Sequence, residues 1–590
     1  MFQSFTETAS PDQGPPRLAA LRARMAEAGL DGFIVPRADA HQGEYVAPRD
    51  DRLAWLTGFT GSAGWCVALA DRAGVFVDGR YRVQIKRQVA DVFEPVAWPE
   101  TSLGDWISSA LPKGVIGFDP WLLSVEQKRG LEAKLEQVAL RACENLVDAI
   151  WADQPDPPLG KVIVQPPELA GEAHGDKIAR LAAGLGKARA AILTLPDSIA
   201  WLLNIRGSDI PRNPVAHGFA ILHEDARVTL FMDDRKLVDV TDHLGPRVTV
   251  RPPDEFLSAV AALDGAALID PATCPVAVAE AIAGDIVEAP DPCLLPKACK
   301  NATELDGARS AQLRDAAAMV RFLAWLDAQP AGSLTEIDVV RRLEAERTAS
   351  NALRDISFET IAGAGAHGAI VHYRVTEATD APVADGQLLL VDSGGQYVDG
   401  TTDITRTVAI GDPGAEECAA FTRVLKGMIA VSRLRFPKGL AGRDIDPFAR
   451  HALWEAGLDY DHGTGHGVGS YLSVHEGPAR IARAGTVALE PGMILSNEPG
   501  FYREGAFGIR IENLIAVERA PALPGQTVSE MYRFETLTWV PIDTRLVVPA
   551  LLTQAERDWL NDYHAAVLDR VGPLVDDPER DWLSLACRPI

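Results

Sequence analysis

The sequence predicts an α/β protein: two related N-terminal α/β domains followed by one large C-terminal α/β domain. Three observations predict it. Amphipathic helix-like stretches are followed repeatedly by short apolar strand-like stretches, the alternation typical of α/β architecture. Breaker-rich clusters, Asp153 to Pro158 and Ala289 to Pro296, interrupt the first half of the chain twice. Six of the 12 histidines lie between His367 and His475, which marks the last part as chemically distinct. The expected domains are 1–153, 159–296 and 301–590.

Pro16 to Gly29 reads as an amphipathic helix with proline near its start and glycine at its end. Gly32 to Pro36 follows as a buried strand, and Gly64 to Val77 as a hairpin. The same order returns after the first breaker cluster. A helix is expected around Gly175 to Lys187, then strands at Ala190–Leu195, Ala216–Leu222 and Val228–Met232. Asn301 with Glu304 three residues on reads as a capping box opening a long helix that stops before Pro330.

Composition narrows the function classes. The 590 residues are 47% hydrophobic and 24% charged, with 57 Lys+Arg against 82 Asp+Glu and a net charge of −25. So acidic a balance argues against nucleic acid or an anionic membrane as the partner. No apolar run is long enough for a transmembrane helix. The seven cysteines (Cys66, Cys143, Cys274, Cys293, Cys299, Cys418 and Cys587) form no C-x-x-C pair. That dispersal, and an N-terminus without a secretory signal, predict a cytoplasmic protein.

The chemistry concentrates in the last domain. Leu388 to Val391 is an apolar strand delivering Asp392, with Gly394 and Gly395 close behind. The chain turns near Asp399 and Gly400 and returns through Thr401–Thr407, which carries Asp403. A two-residue turn at Asp399-Gly400 places Gln396 opposite Asp403, so a bulge or wider return is needed to bring the two carboxylates together. Asp399 itself reads as a turn acid. His462 and His466 lie in a stretch with four glycines in eight residues, too glycine-rich for a helix. Such a segment lets backbone approach a ligand closely. His475 follows, then Glu498 before Pro499, and Glu512 in a strand-like alternation that puts Arg510 and Glu512 on one face. An acid facing inward from a strand is costly unless paired or metal-bound. Four carboxylates with one imidazole form a hard donor set suited to Mn²⁺, Mg²⁺ or Co²⁺, and two divalent cations would neutralise the four acids.

The motifs DSGGQYVDGTTDITRT, HGTGHGVGSYLSVHEGP, EPGFY and GIRIEN resemble those of the pita-bread (creatinase/aminopeptidase) fold, and most closely the Xaa-Pro aminopeptidases. The resemblance extends to EYVAPRDDRLAWLTGFTGSAG and DGRY, to DSIAWLLNIRGSDIPRNPV, to PKACKNATELDGAR and to TWVPIDTRLV, as in the long three-domain cytosolic type. It implies two creatinase N-terminal-like domains before a pita-bread catalytic domain. The implied activity is a dinuclear aminopeptidase that hydrolyses the bond between an N-terminal residue and a following proline. The neighbouring activity is that of a prolidase, which cleaves Xaa-Pro dipeptides only; a metal-free binding protein of the same fold is a remoter reading.

The resemblance also implies the ligand set. Asp392 binds one ion, Asp403 and Glu512 bridge two, and His466 with Glu498 completes the second. Glu498 would double as general base. His372, His462 and His475 match histidines near the substrate, and Arg510 and Tyr502 match residues that hold the carboxylates. Mn²⁺, peptide substrates with proline second, and a homodimer come with the family. His367 and His451 have no role in it and read as structural or surface residues.

Overall fold

A computed structural model describes residues 1–590. The chain divides into two compact units, Thr8–Leu294 and a second formed by Met1–Glu7 with Leu295–Ile590. No helix is long and apolar enough to cross a membrane.

The first unit contains two six-stranded sheets built to one plan. In the first, Gly32–Pro36 pairs antiparallel with Trp65–Leu69 and parallel with Gly114–Phe118; Ala73–Val77, Glu94–Ala97 and Val138–Ala142 complete it. In the second, Ala190–Leu193 stands where Gly32–Pro36 stood. It pairs antiparallel with Phe219–His223 and parallel with Ala267–Ile269. Strand order and the sequence of parallel and antiparallel pairings match throughout. The two predicted related domains are therefore present as topological copies. Burial explains the apolar runs: all five residues of Gly32–Pro36 and all four of Ala190–Leu193 are buried, as expected for central strands covered on both faces. The preceding helix, Gly14–Glu27, turns its Leu18, Leu21 and Met25 into that core, and Gly29 follows it at φ +61°.

The second unit opens with the helix Ala302–Asp327. Asn301 Oδ1 accepts from the Glu304 N–H at 3.1 Å and Glu304 Oε2 accepts from the Asn301 N–H at 3.0 Å, the predicted capping box. A six-stranded antiparallel sheet runs in the order Arg435–Pro437, Met531–Thr536, Asn513–Arg519, Ile494–Asn497, Gly465–Gly467, Glu476–Ile481. Its inner face packs Leu495, Ile515 and Tyr532 against Ile445 and Ala449 of the helix Gly442–Trp454. A three-stranded sheet places Gln387–Ser393 between Ile361–Ala364 and Ile404–Ile410.

The hairpin between Asp392 and Asp403 differs from the sequence expectation in one residue. Tyr397 pairs with Gly400, so the turn is Val398-Asp399 rather than Asp399-Gly400. The same register recurs in the main ladder, where Asp392 faces Thr405 and Ser393 faces Ile404, but the two ladders belong to different sheets and are interrupted at Gly394 and Thr402–Asp403. Asp403 lies two residues before Thr405, in that interruption and outside the strand, and the register on either side shows no one-residue shift. The long helix holds the turn. Arg314 makes two contacts to the Asp399 carboxylate, at 2.9 and 3.1 Å, and Tyr397 Oη donates to Asp315 Oδ1 at 2.7 Å. Asp399 is thus a structural acid, as its turn position suggested.

Candidate metal centre

Five side chains on or just beside separate strands of the second unit form the candidate centre. Asp392 is on Gln387–Ser393, and Asp403 immediately precedes Ile404–Ile410. His466 is central in Gly465–Gly467, a strand with neighbours on both sides. Those neighbours explain its glycines. A Cβ on Gly465 would lie 1.9 Å from the Ser496 carbonyl oxygen, and one on Gly467 would lie 2.2 Å from that of Glu476. The close approach that these two glycines permit is to neighbouring strands.

Glu498 follows Ile494–Asn497, and Glu512 precedes Asn513–Arg519. The predicted continuous strand through Arg510 and Glu512 is interrupted: Arg510 ends the hairpin strand Phe507–Arg510, and the next strand belongs to a different sheet. Both side chains still reach one cluster because Thr405 joins them. Thr405 Oγ1 donates to Glu512 Oε2 at 2.8 Å and accepts from Arg510 Nε at 3.2 Å.

Ligand-type atoms of Asp403, His466 and Glu512 lie within 4.8 Å of one another. His466 Nε2 is 3.5 Å from Asp403 Oδ2 and 3.5 Å from Glu498 Oε1. The ring is oriented from behind, where its Nδ1 lies 3.0 Å from the Gly467 carbonyl. A carbonyl only accepts, so Nδ1 carries the hydrogen and Nε2 points its lone pair at two carboxylates. That arrangement needs a cation. Among protein groups alone the cation is a proton: burial opposes it, but Asp403 and Glu498 hold the imidazole up at about 9.

The carboxylates show the same requirement. Burial, with repulsion from neighbouring acids, raises the pKa of Asp392, Glu498 and Glu512. Arg510 relieves only part of it, through Nη2 to Asp392 Oδ2 at 2.6 Å. The other oxygen, Asp392 Oδ1, and Glu512 Oε1 are buried without a hydrogen-bond partner. Native structures seldom leave charged oxygens so. Orphaned carboxylate oxygens and an aimed imidazole lone pair fit hard divalent cations.

The other predicted residues surround this cluster. Arg510 Nη1 donates to Tyr502 Oη at 2.7 Å, and Tyr502 Oη lies 2.8 Å from His462 Nε2. His462 Nδ1 is 2.7 Å from the Gly463 carbonyl, so this imidazole is held with Nε2 accepting from the tyrosine. Burial pushes the Tyr502 hydroxyl up to about 12, which keeps it a donor. The His475 ring packs edge-on to that of His466, with centroids 4.3 Å apart. His372 follows Val371, whose carbonyl accepts from Arg510 Nη2 at 3.3 Å. His367 is bonded to Glu336 at 2.9 Å and His451 is exposed, so neither joins the cluster.

Two residues of the site were not singled out from sequence. Thr405 links Arg510 to Glu512, and Ser496 Oγ accepts from the His466 N–H at 2.9 Å while donating to Glu498 Oε1 at 3.1 Å. The available signal was period-2 spacing: Thr405 stands two after Asp403, and Ser496 two before Glu498.

Similarity to known proteins bears on this geometry. Residues 306–519 match the model of metallopeptidase family M24, and 530–590 that of its C-terminal region. Residues 17–150 and 153–304 each match a creatinase/prolidase N-terminal domain. Aminopeptidase P2 of Arabidopsis thaliana is 39% identical over 628 residues, covering 97% of this chain and 88% of that protein. The chain belongs to the aminopeptidase P family. Within it, a solved structure extends the likeness to the whole fold. The X-prolyl aminopeptidase of Caenorhabditis elegans, described as a cytosolic enzyme with a di-nuclear active site, is 34% identical. Its TM-score is 0.91, and 98% of this chain and 99% of that one are covered. The prolidase of Pyrococcus horikoshii covers 63% of this chain at 22% identity with a TM-score of 0.50, a likeness of fold alone. This member of the aminopeptidase P family thus has two creatinase-type N-terminal domains before a pita-bread domain, as predicted.

Proposed function

We propose that this chain is a metal-dependent aminopeptidase releasing the first residue of peptides whose second residue is proline. The observation that carries the reading is the grouping of Asp403, His466 and Glu512, with Glu498 3.5 Å from His466, and the orphaned buried oxygens of Asp392 and Glu512. Full-length similarity to named aminopeptidases P supports the substrate class.

Asp392 would hold one divalent ion, Asp403 and Glu512 would bridge two, and His466 with Glu498 would complete the second. When bound, the ions supply Lewis-acid polarisation of the scissile carbonyl and a water acidic enough to attack near neutral pH. The chain's own groups do the rest. Glu498, fixed by Ser496, takes the proton of the attacking water and carries it toward the leaving nitrogen. That nitrogen belongs to proline, has no hydrogen of its own, and must be protonated as the bond breaks. His462, held between the Gly463 carbonyl and Tyr502, and His475 and His372 orient the peptide or pass the proton. The acid-rich site meets the substrate's N-terminal ammonium.

A comparison of Arg-Pro-Pro with Gly-Pro tests the reading: release of arginine from the tripeptide is expected, and cleavage confined to dipeptides makes the enzyme a prolidase. His475→Ala is expected to lower kcat by about tenfold with both ions retained, as for residues that orient a ligand without binding the metal. Metal analysis beside the assay checks this, and an unchanged kcat reduces His475 to a packing role. Manganese fits the oxygen-rich donor set and is the ion proposed for the cell. A cytoplasmic location is proposed alongside the nematode enzyme's description as cytosolic. The homodimer rests on family resemblance, and sedimentation of the purified chain tests it. The division 1–153, 159–296 and 301–590 is proposed as well, with limited proteolysis at Asp153–Pro158 as its check.

A further inference from the structure

Chain termini are usually loose unless something ties them down. Here Gln3 is 4% exposed and Phe5 is 7% exposed, and their partners lie in the part of the second unit that carries His372. The Gln3 side chain pairs both ways with the backbone of Thr360: Oε1 accepts from its N–H at 2.8 Å and Nε2 donates to its carbonyl at 3.3 Å. Thr360 leads into the strand whose Ile361 is directly opposite Asp392. The Gln3 N–H donates to buried Glu344 at 3.2 Å. Arg374 Nη2 donates to the Ser4 carbonyl at 3.1 Å, and the Glu377 N–H donates to the Phe5 carbonyl at 2.9 Å. Thr376 Oγ1 reaches Glu7 at 3.5 Å, and the Arg341 guanidinium covers the Phe5 ring.

Residues 374–377 begin two positions after His372. On the other side of His372, the Val371 carbonyl is held by Arg510, which also binds Asp392. His372 therefore sits between two anchors. One belongs to the candidate metal centre and the other is the N-terminal segment. We propose that Gln3–Glu7 is a positioning element for the peptidase reaction, setting the His372 segment against the substrate. This rests on the peptidase reading above. No residue of Gln3–Glu7 is assigned to bind metal or peptide, so its effect on turnover would pass through His372.

The test uses the full-length chain with Gln3→Ala and Phe5→Ala together, His372→Ala alone, and all three substitutions combined. The double variant is expected to lose about tenfold in kcat/KM for Arg-Pro-Pro, as a misplaced substrate-facing group would. Its bound metal should be unchanged. Added to His372→Ala it should cost nothing further, because both act through one group. Amide exchange across 370–380 should rise in the double variant, and Phe5→Leu, which keeps apolar bulk, should keep most of the wild-type rate. A fully multiplicative loss in the combined variant overturns the proposal, and so does unchanged exchange across 370–380. If the wild-type chain leaves Arg-Pro-Pro intact, the peptidase reading fails, and the exchange measurement decides the anchoring on its own.

Discussion

Glu498→Gln should abolish most turnover of Arg-Pro-Pro while leaving the fold intact. The residue lies just beyond the strand Ile494–Asn497, with its backbone N–H donating to the Thr464 carbonyl at 2.8 Å and its side-chain Oε1 accepting from Ser496. Glutamine keeps the shape and an acceptor for Ser496, so packing changes little. What it loses is the ability to take up a proton and the negative charge offered to a cation. General acid–base groups contribute about 10²–10⁴-fold, and here the same group would serve both water and leaving nitrogen, so a loss near the top of that range is expected. Without cations, burial and the neighbouring carboxylates raise the Glu498 pKa. The measurement is kcat at saturating metal, with thermal midpoint and metal content beside it. A wild-type kcat removes Glu498 from the base role, and loss of metal in proportion to activity makes it a ligand only.

Chelation carries the second large effect. Removing divalent ions should bring activity to background, and adding Mn²⁺ should restore it. Stability should fall too, because ions that bind only the native state stabilise by about 2.7 kcal/mol at a hundred times Kd. The sign with pH follows from the carboxyl groups. Glu498 and Glu512 have pKa values raised above the ordinary 4.5 by burial and like charge. Without cations their contribution is fully present below that value and is lost as pH rises through the raised values. The chelated protein should therefore lose thermal midpoint from pH 5 to pH 8 relative to the metal-loaded protein. An equal midpoint difference at both pH values would mean that these carboxylates do not carry the coupling.

Local patterns made much of the fold legible. The capping box at Asn301, the buried strand Gly32–Pro36 and the repeated helix-strand order all depend on neighbours close in sequence, and the structure shows each. The relation between the two N-terminal domains was visible as element order, and strand topology made it definite. The hairpin register was harder. A turn misplaced by one residue shifts every pairing, and Val398-Asp399-Gly400 offers two turn positions of similar chemistry. The structure selects one through Arg314 and Asp315 on a helix some eighty residues away. Gly465 and Gly467 beside His466 admit the backbones of flanking strands, a constraint set by partners distant in sequence.

By itself, the sequence determined the class of chemistry. Residue type suffices for that: four acids, an imidazole and glycine-rich strands imply hard cations, and the motif wording implies a family. It also determined local elements, because caps, breakers and periodicity act over a few residues. Only tertiary structure decided that the hairpin turns at Val398-Asp399, that Thr405 and Ser496 tie the acids together, and that residues 3–7 reach the His372 segment. Those contacts join positions tens to hundreds of residues apart, and their energies come from burial and charge that exist only once the strands have met.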